Sequence, residues 1–392
     1  MLIATTVTLL GLLAGITAAQ LWGLRLGGVI VVPLVAVYLL RSFGTFPVFL
    51  LSTLAAYVSL SVIKRRLPLF GRQLFVLSIL IGALVPVTVF ELAAFGPGFD
   101  VSVTAVEFVG SILPGIAAYN LHRLDTEQRV LDAALSFATL LALVVVGISL
   151  VVLVGLTPLA GFLPPLLLSP ASDIGTALGL TVDRPPLPVV APDGLTLVLV
   201  SLGMGLSEFV RSRYGLRLAG VIVLPLVVLF GFRNAWLLPV WVVASTLAYA
   251  GVQLVHRWTL LYGRVLLAVG TIFGLLTTIS LGLVVPTSHG LLPFFVGLFG
   301  GITAYNVHVV PPAERRVTVA ATLAVLVVVA AVARLAVTPL PGGVLRTVEA
   351  THLALGALAL CPALVGLYRL ESIRPAGLDT RLPGTGYGGD RQ

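Results

Sequence analysis

Arginine provides most of the chemistry that this chain could perform. Three arginine positions occur twice, in two stretches of similar sequence, and two of the three bracket an apolar stretch that contains Gly and Pro. A guanidinium presents planar donors that match a carboxylate, so this pattern favours contact with an anionic chain or an acidic partner. The alternative is that each arginine reaches out to lipid headgroups beside an apolar span. The pairs are Arg25 and Arg217, Arg41 and Arg233, and Arg72 and Arg264.

A second duplicated set has the pattern Tyr-Asn-x-His and closes an apolar segment in each copy. It contains Asn120 and His122 in the first copy, and Asn306 and His308 in the second. Amide and phenol groups there could bond backbone that an interrupted helix leaves unpaired. The alternative is an aromatic belt with a helix cap at the membrane interface. These four residues are therefore candidate contacts of an anion or of a partner protein.

Gly and Pro also recur at matching places in the second and fifth apolar segments of each copy. Proline removes a backbone donor and glycine lets a helix unwind, so such segments often line a working site in transporters. The alternative is that the glycines only allow helices to pack closely. The candidate positions for interrupted helices are Gly28, Pro33, Gly110, Pro114, Gly115, Gly220, Pro225, Gly297, Gly300 and Gly301.

The chain lacks the motifs of a self-sufficient enzyme. Its only lysine, Lys64, does not stand in a Gly-Lys-Ser/Thr phosphate loop, and Cys361 is the only cysteine. No His-Glu-x-x-His motif and no nucleophile elbow occurs in a plausible setting. We therefore expect no metal site, no cofactor and no catalysis by the chain alone. Any ATP-dependent step would come from a partner.

The composition predicts a multi-pass α-helical protein of the cell membrane. Hydrophobic residues make up 58% of the 392 residues and charged residues 10%, too few charges to cover a water-soluble domain of this size. The net charge of +8 does not indicate nucleic-acid binding, because the basic residues stand in short loops beside apolar spans. The lipid bilayer is thus the first expected partner.

The elements that would position these residues form two repeats. Residues 23–72 and 215–264 are identical at 20 of 50 positions without a gap, and 108–122 resembles 295–308. We count six apolar segments in each repeat and a thirteenth near the C-terminus. The predicted parts are a first repeat at 1–157, an external linker at 158–191, a second repeat at 192–338, and a last helix with a disordered cytoplasmic tail at 339–392.

Six segments per repeat make the two repeats parallel, while two halves of three segments would be inverted relative to each other. Five clusters of Arg and Lys fall on one side if all segments span, which predicts an outside N-terminus and thirteen spans. Segments two and five are short, so the alternative is that they re-enter the membrane without crossing it. Acids near the spans, such as Glu208, are not duplicated.

The motif set resembles the small membrane subunit of poly-γ-glutamate synthase, the PgsC/CapC family. That family has an early Gly-x-x-x-Pro stretch, a Tyr-Gly-Arg after a long apolar helix, and a late Val-Pro-Gly-[Leu/Ile]-x-Ala-Asn stretch. Here the corresponding residues are Gly28 to Pro33, Phe70 to Arg72 and Leu113 to Asn120 in the first copy, and Gly220 to Pro225, Tyr262 to Arg264 and Gly300 to Asn306 in the second. Each copy covers about one family length, so the chain resembles two such subunits fused.

The resemblance implies a role in capsule-type polymer synthesis. Such a subunit is expected to anchor an ATP-dependent amide ligase that joins glutamate through its side-chain carboxyl, and to assist export of the polyanionic polymer or handling of its acidic precursor. Two other hypotheses stay open from the residues: a secondary transporter for a small anion, and a membrane scaffold with no translocation pathway.

Overall fold

The structure is a computed structural model that describes residues 1–67, 71–94, 105–157, 167–168, 172–181, 190–285 and 291–373. For residues 89–94 and 105–110 it describes the backbone only. Phe70, most of the predicted linker and the predicted tail from residue 374 lie outside the described residues. The described ranges contain helices and no strand. The helices are α1 Leu2–Trp22, α2 Val31–Arg41, α3 Thr45–Arg66, α4 Gly71–Ala94, α5 Ala105–His122, α6 Thr126–Gly155, α7 Asp173–Ala177, α8 Asp193–Tyr214, α9 Val223–Arg233, α10 Leu237–Thr259, α11 Arg264–Gly282, α12 Leu292–Val309, α13 Arg315–Ala336 and α14 Ala350–Ile373.

Within the described ranges, ten helices are long and apolar enough to cross a membrane. Their outward faces carry large apolar side chains, as lipid contact requires. The protein is therefore a multi-pass α-helical membrane protein, as the composition predicted.

The helix in the second segment of each repeat is shorter than a complete membrane span. The helices α2 and α9 have 11 residues each, which is about 16 Å of helix against a hydrocarbon core of about 30 Å. Neither segment is therefore a full-length helical span, because each consists of an irregular stretch followed by a short helix. Both helices are almost entirely buried inside the protein, where an incomplete span does not meet lipid.

A turn with unusual backbone angles precedes α2. Leu26, Gly27 and Gly28 all have positive φ, at 48°, 60° and 126°. Pro33 lies in the first turn of α2, where its missing N–H is no loss, and Pro225 occupies the same place in α9. The Gly28 to Pro33 motif thus stands where the chain leaves a turn and enters a short buried helix.

The fifth segment of each repeat is a continuous helix, so the expected interruption there is wrong. Gly110, Pro114 and Gly115 lie inside α5, and Gly297, Gly300 and Gly301 lie inside α12. These glycines serve close packing instead: a Cβ on Gly115 would collide with the backbone of Ser78 in α4, and one on Gly301 with the backbone of Gly270 in α11.

Each repeat consists of two three-helix bundles. The helices α1, α2 and α6 pack together, as do α3, α4 and α5, and the second repeat forms the corresponding sets α8, α9, α13 and α10, α11, α12. Two inverted halves that exchange their third helices give this arrangement. α14 packs on the outside of α13.

The two repeats meet through reciprocal contacts. α1 of the first repeat packs on α11 of the second, and α8 packs on α4, its counterpart pair. At the first of these contacts, Leu12 and Val29 form one apolar cluster with Ala268. Because each contact pairs the same two positions of the repeat, the repeats are related by an approximate two-fold axis, like two subunits of a dimer.

Candidate functional site

The turn between α1 and α2 is built around one carboxylate. The backbone N–H groups of Arg25 and Leu26 donate to Oδ1 of Asp132 at 2.5 and 2.7 Å, and that of Gly27 donates to Oδ2 at 2.9 Å. Asp132 lies in the second turn of α6 and is fully buried. Three successive N–H groups around one anion fix the turn and set where Arg25 leaves it.

Asn120 holds the same turn from the opposite side. Its Nδ2 donates to the carbonyl oxygen of Gly27 at 3.1 Å and to that of Ile116 at 2.9 Å. A Cβ on Gly28 would collide with this amide, so the positive φ and the close approach both require glycine. The structure therefore places Asn120 against the irregular backbone of segment two, and not against an interruption of its own helix.

The second repeat holds its turn differently. Thr318 occupies the position that corresponds to Asp132, and the N–H of Ala219 donates to Oγ1 of Thr322 at 3.1 Å instead. The side chain of Asn306 makes no hydrogen bond among the described residues, unlike that of Asn120. The two copies thus keep one fold but differ in charge at the turn.

Arg25 projects from this turn toward the second repeat. Its side chain is half-buried, and its Nη1 is buried with no hydrogen-bond partner in the described part of the protein. Burial, with the positive charges of Arg264 and Arg123, lowers the pKa of Arg25 to about 10. The guanidinium therefore stays charged at neutral pH while it lies close to two other cations.

Arg264 comes to this place from the second repeat. It is the first residue of α11, one turn before Ala268, which packs against Val29 of the first repeat. It lies within electrostatic reach of Arg123, Asp132, Tyr119 and Tyr305. Among the described residues its side chain forms no ion pair and no hydrogen bond.

Arg72, the first-repeat counterpart of Arg264, is fully occupied. Its Nη2 donates to Oγ of Ser207 at 2.8 Å, and its Nε lies 3.2 Å from Oε2 of Glu208. Glu208 also pairs with Arg211, its Oε1 lying 3.6 Å from Nη1. The charges of Arg211 and Arg217 both act on Arg72.

These contacts join into one cationic surface across the repeat interface. Tyr305 lies within electrostatic reach of both Arg217 and Arg264, and so connects its two sides. Sequence reasoning singled out four of the five arginines but not Arg123, which stands one helical turn after Tyr119 with a cation–π distance of 5.9 Å. We call this surface the arginine belt; it consists of Arg25, Arg72, Arg123, Arg217 and Arg264.

The family model for capsule biosynthesis CapC matches residues 10–130 and, a second time, residues 202–316. The chain belongs to this family. The match confirms the resemblance and the duplication, and it makes the protein a membrane subunit of capsule synthesis. No curated protein and no solved structure matches the chain.

The CapC-matched regions contain the whole arginine belt, with three of its members in the first region and two in the second. Glu208 lies inside the second region, whereas Asp132 and Thr318 lie two residues beyond the ends of their regions. The added helix α14 lies outside both. The belt is therefore formed by the two CapC units facing each other.

Arg41 and Arg233 lie at the other ends of the short helices α2 and α9, away from the belt. Leu40, next to Arg41, fills the space beside Gly147 of α6, about 22 Å along that helix from Asp132. The charges of Arg41 and Arg233 act on each other, and Nε of Arg233 is buried with no hydrogen-bond partner in the described structure. These two CapC arginines form a second, separate cationic place.

His122 and His308 pack helices within their own repeats. The ring of His122 stacks on Tyr57 of α3 with centroids 4.3 Å apart, and its Nε2 lies 2.9 Å from the Tyr57 carbonyl oxygen. His308 meets His256 of α10 edge to face at 4.9 Å. Both stand near the belt in sequence, but their contacts are those of helix packing.

Proposed function

We propose that this CapC-family protein is the membrane subunit of a poly-γ-glutamate synthesis and export complex, and that it contacts the acidic polymer through those arginines of the belt that no carboxylate already pairs. The observation that supports the proposal best is the excess of positive charge at the repeat interface. Five arginines gather there, and the acids whose charges act on Arg25, Arg72 and Arg264 are already engaged: Asp132 by backbone N–H groups and Glu208 by Arg72.

The chemistry of the polymer fits this surface. A poly-γ-glutamate chain carries one free carboxylate per residue, so it presents a regular row of anions to a row of guanidiniums. A charge-assisted hydrogen bond of this kind contributes about 1.5–3 kcal/mol, and several weak contacts hold a chain while allowing it to slide.

Synthesis itself is assigned to a partner. The chain has no phosphate-binding loop, so the energy of amide formation would come from an ATP-dependent ligase that this subunit anchors. The belt contains arginines from four of the five basic loops that the positive-inside rule places on the cytoplasmic side. A ligase docked at that side would deliver new polymer directly to the belt.

The proposed route runs along α2 and α9, from the belt to Arg41 and Arg233. Between the two cationic places, aromatic rings fill the interior: Tyr38 of α2 lies 6.0 Å from Phe295 of α12, and Phe230 of α9 lies 5.9 Å from Phe299, centroid to centroid. These rings are buried, so the arrangement corresponds to a closed route. Passage of polymer would require α12 to move relative to the short helices.

Deletion of the gene with the ligase retained tests the proposal. We expect less ligase in the membrane fraction and less released polymer, with recovery of both on complementation. A cell that keeps the ligase in the membrane and releases normal polymer would contradict the assignment. Uptake of free glutamate by the purified protein in liposomes would favour a small-anion transporter instead, and specific ATP hydrolysis by a homogeneous preparation would contradict the need for a partner.

A further inference from the structure

The two repeats treat the same arginine in opposite ways. Arg72 donates to Ser207 and pairs with Glu208, and its side chain is 14% exposed. Arg264, at the corresponding place in the second repeat, has neither a hydrogen bond nor an ion pair within the described ranges. Both sit at the start of a helix that packs on the first helix of the other repeat.

The difference comes from the residues of the helices that face these two arginines. Ser207 and Glu208 belong to α8, and the corresponding residues of α1 are Gly15 and Ile16. Gly15 has no room for a larger side chain, since a Cβ there would press on Val29. The α1 side of the interface therefore supplies no carboxylate for Arg264.

Two further cations, Arg25 and Arg123, act on Arg264, as Arg211 and Arg217 act on Arg72, but no acid pairs with Arg264 as Glu208 pairs with Arg72. Arg25 is half-buried and leaves Nη1 buried and unpartnered in the described structure. Arg123 has Val309 as its counterpart in the second repeat. Asp132 is the acid whose charge acts on Arg264. It accepts three backbone N–H groups and has no guanidinium within ion-pair distance among the described residues.

We propose that the protein has one anion-binding site, formed by Arg25, Arg123 and Arg264, and that Glu208 occupies the equivalent place beside Arg72 as a built-in anion. The ligand class is a chain of carboxylates, with Tyr119 and Tyr305 available as phenol donors at the rim. Only the identity of the ligand rests on the proposed function. The asymmetry itself rests on the contacts of Arg72 and Arg264.

The site is tested by binding of a short fluorescent γ-glutamyl oligomer to the purified full-length protein in detergent. We expect one oligomer per chain for the wild type. Arg264→Ala should weaken binding about tenfold or more, the effect of one lost charge-assisted contact. Arg72→Ala should weaken it less than about threefold, because its charge is already offset by Glu208. Arg213→Ala, at an exposed arginine paired with Glu371 of α14, serves as the unchanged control.

Glu208→Gln tests the internal anion directly. Removing that charge should open the second place, so the stoichiometry should rise from one oligomer per chain to two. An unchanged stoichiometry, in protein whose thermal unfolding matches the wild type, would overturn the role given to Glu208. Equal losses in Arg72→Ala and Arg264→Ala would overturn the single site.

Lipid phosphate groups are anions that can bind guanidinium groups as carboxylates do. The lipid composition is therefore varied in a further experiment. We expect oligomer binding to persist in nanodiscs of phosphatidylglycerol as in those of phosphatidylcholine. Loss of binding in phosphatidylglycerol alone would identify a headgroup site and overturn the proposal. Absence of oligomer binding by wild type would also overturn it, while the deletion assay of polymer release would still decide the proposed function independently.

Discussion

Replacement of Asp132 by alanine should release the turn that positions Arg25. The change leaves three backbone N–H groups without their acceptor, in a place where Asp132 itself is fully buried. Each hydrogen bond to a charged acceptor contributes about 1.5–3 kcal/mol, and three bonds that share one carboxylate do not add fully. We therefore expect a local cost of about 3–5 kcal/mol, similar to the loss of one partner of a buried ion pair.

Hydrogen exchange read by mass spectrometry measures this cost directly. Because about 1.4 kcal/mol corresponds to a factor of ten, amides at residues 25–27 should exchange about 100- to 4,000-fold faster in Asp132→Ala than in the wild type. Polymer release should fall as well, since Arg25 would no longer be held beside Arg264. Asp132→Asn should lie between the two, because it keeps one acceptor oxygen.

The second repeat supplies the matched control. Thr318 stands at the corresponding position, and its Oγ1 accepts no hydrogen bond among the described residues. Thr318→Ala should therefore leave exchange at 217–219 nearly unchanged. The reasoning is refuted if both variants exchange alike, or if Asp132→Ala keeps its protected amides and normal polymer release.

Three other predictions follow from the same contacts. The double variant Arg72→Ala with Arg264→Ala should reduce polymer output at normal membrane abundance, while Arg381→Ala in the C-terminal tail should not; full output from the double variant would make these arginines lipid anchors. Gly115→Ala should destabilise the protein by about 1–3 kcal/mol, because the new methyl group overpacks against Ser78. Gly205→Ala, where a methyl group meets open space, should be neutral or slightly stabilising in thermal unfolding. The reverse order of stabilities would contradict the glycine contact between α4 and α5. Cysteine labelling, with Cys361 replaced, should reach the linker 158–191 from outside and the loops that bear the arginine belt from the cytoplasm, and labelling of the linker from the cytoplasm alone would invert the topology.

Periodic and local features of the sequence determined the class of protein. Long apolar runs require a bilayer whatever the packing, and a repeat with identical Gly, Pro and Arg positions is visible without any contact information. The arginine pairs and the family resemblance could therefore be recognised from the sequence alone, and the family match confirmed the resemblance. Apolar periodicity located the second segment of each repeat but did not show that it contains only an 11-residue buried helix.

Only the tertiary structure decided which charged groups meet. Asp132 is 107 positions from Arg25, and Arg72 is 135 positions from Ser207, so nothing local in the sequence connects them. The close contact of Gly115 with Ser78 of α4, beside Pro114 in a continuous α5, likewise appears only in the tertiary structure. The sequence alone determined that the first repeat has Ile16 where the second has Glu208. Only the packing of α8 on α4 places Glu208 against Arg72. The corresponding packing of α1 on α11 leaves Arg264 without a carboxylate, because Ile16 has none.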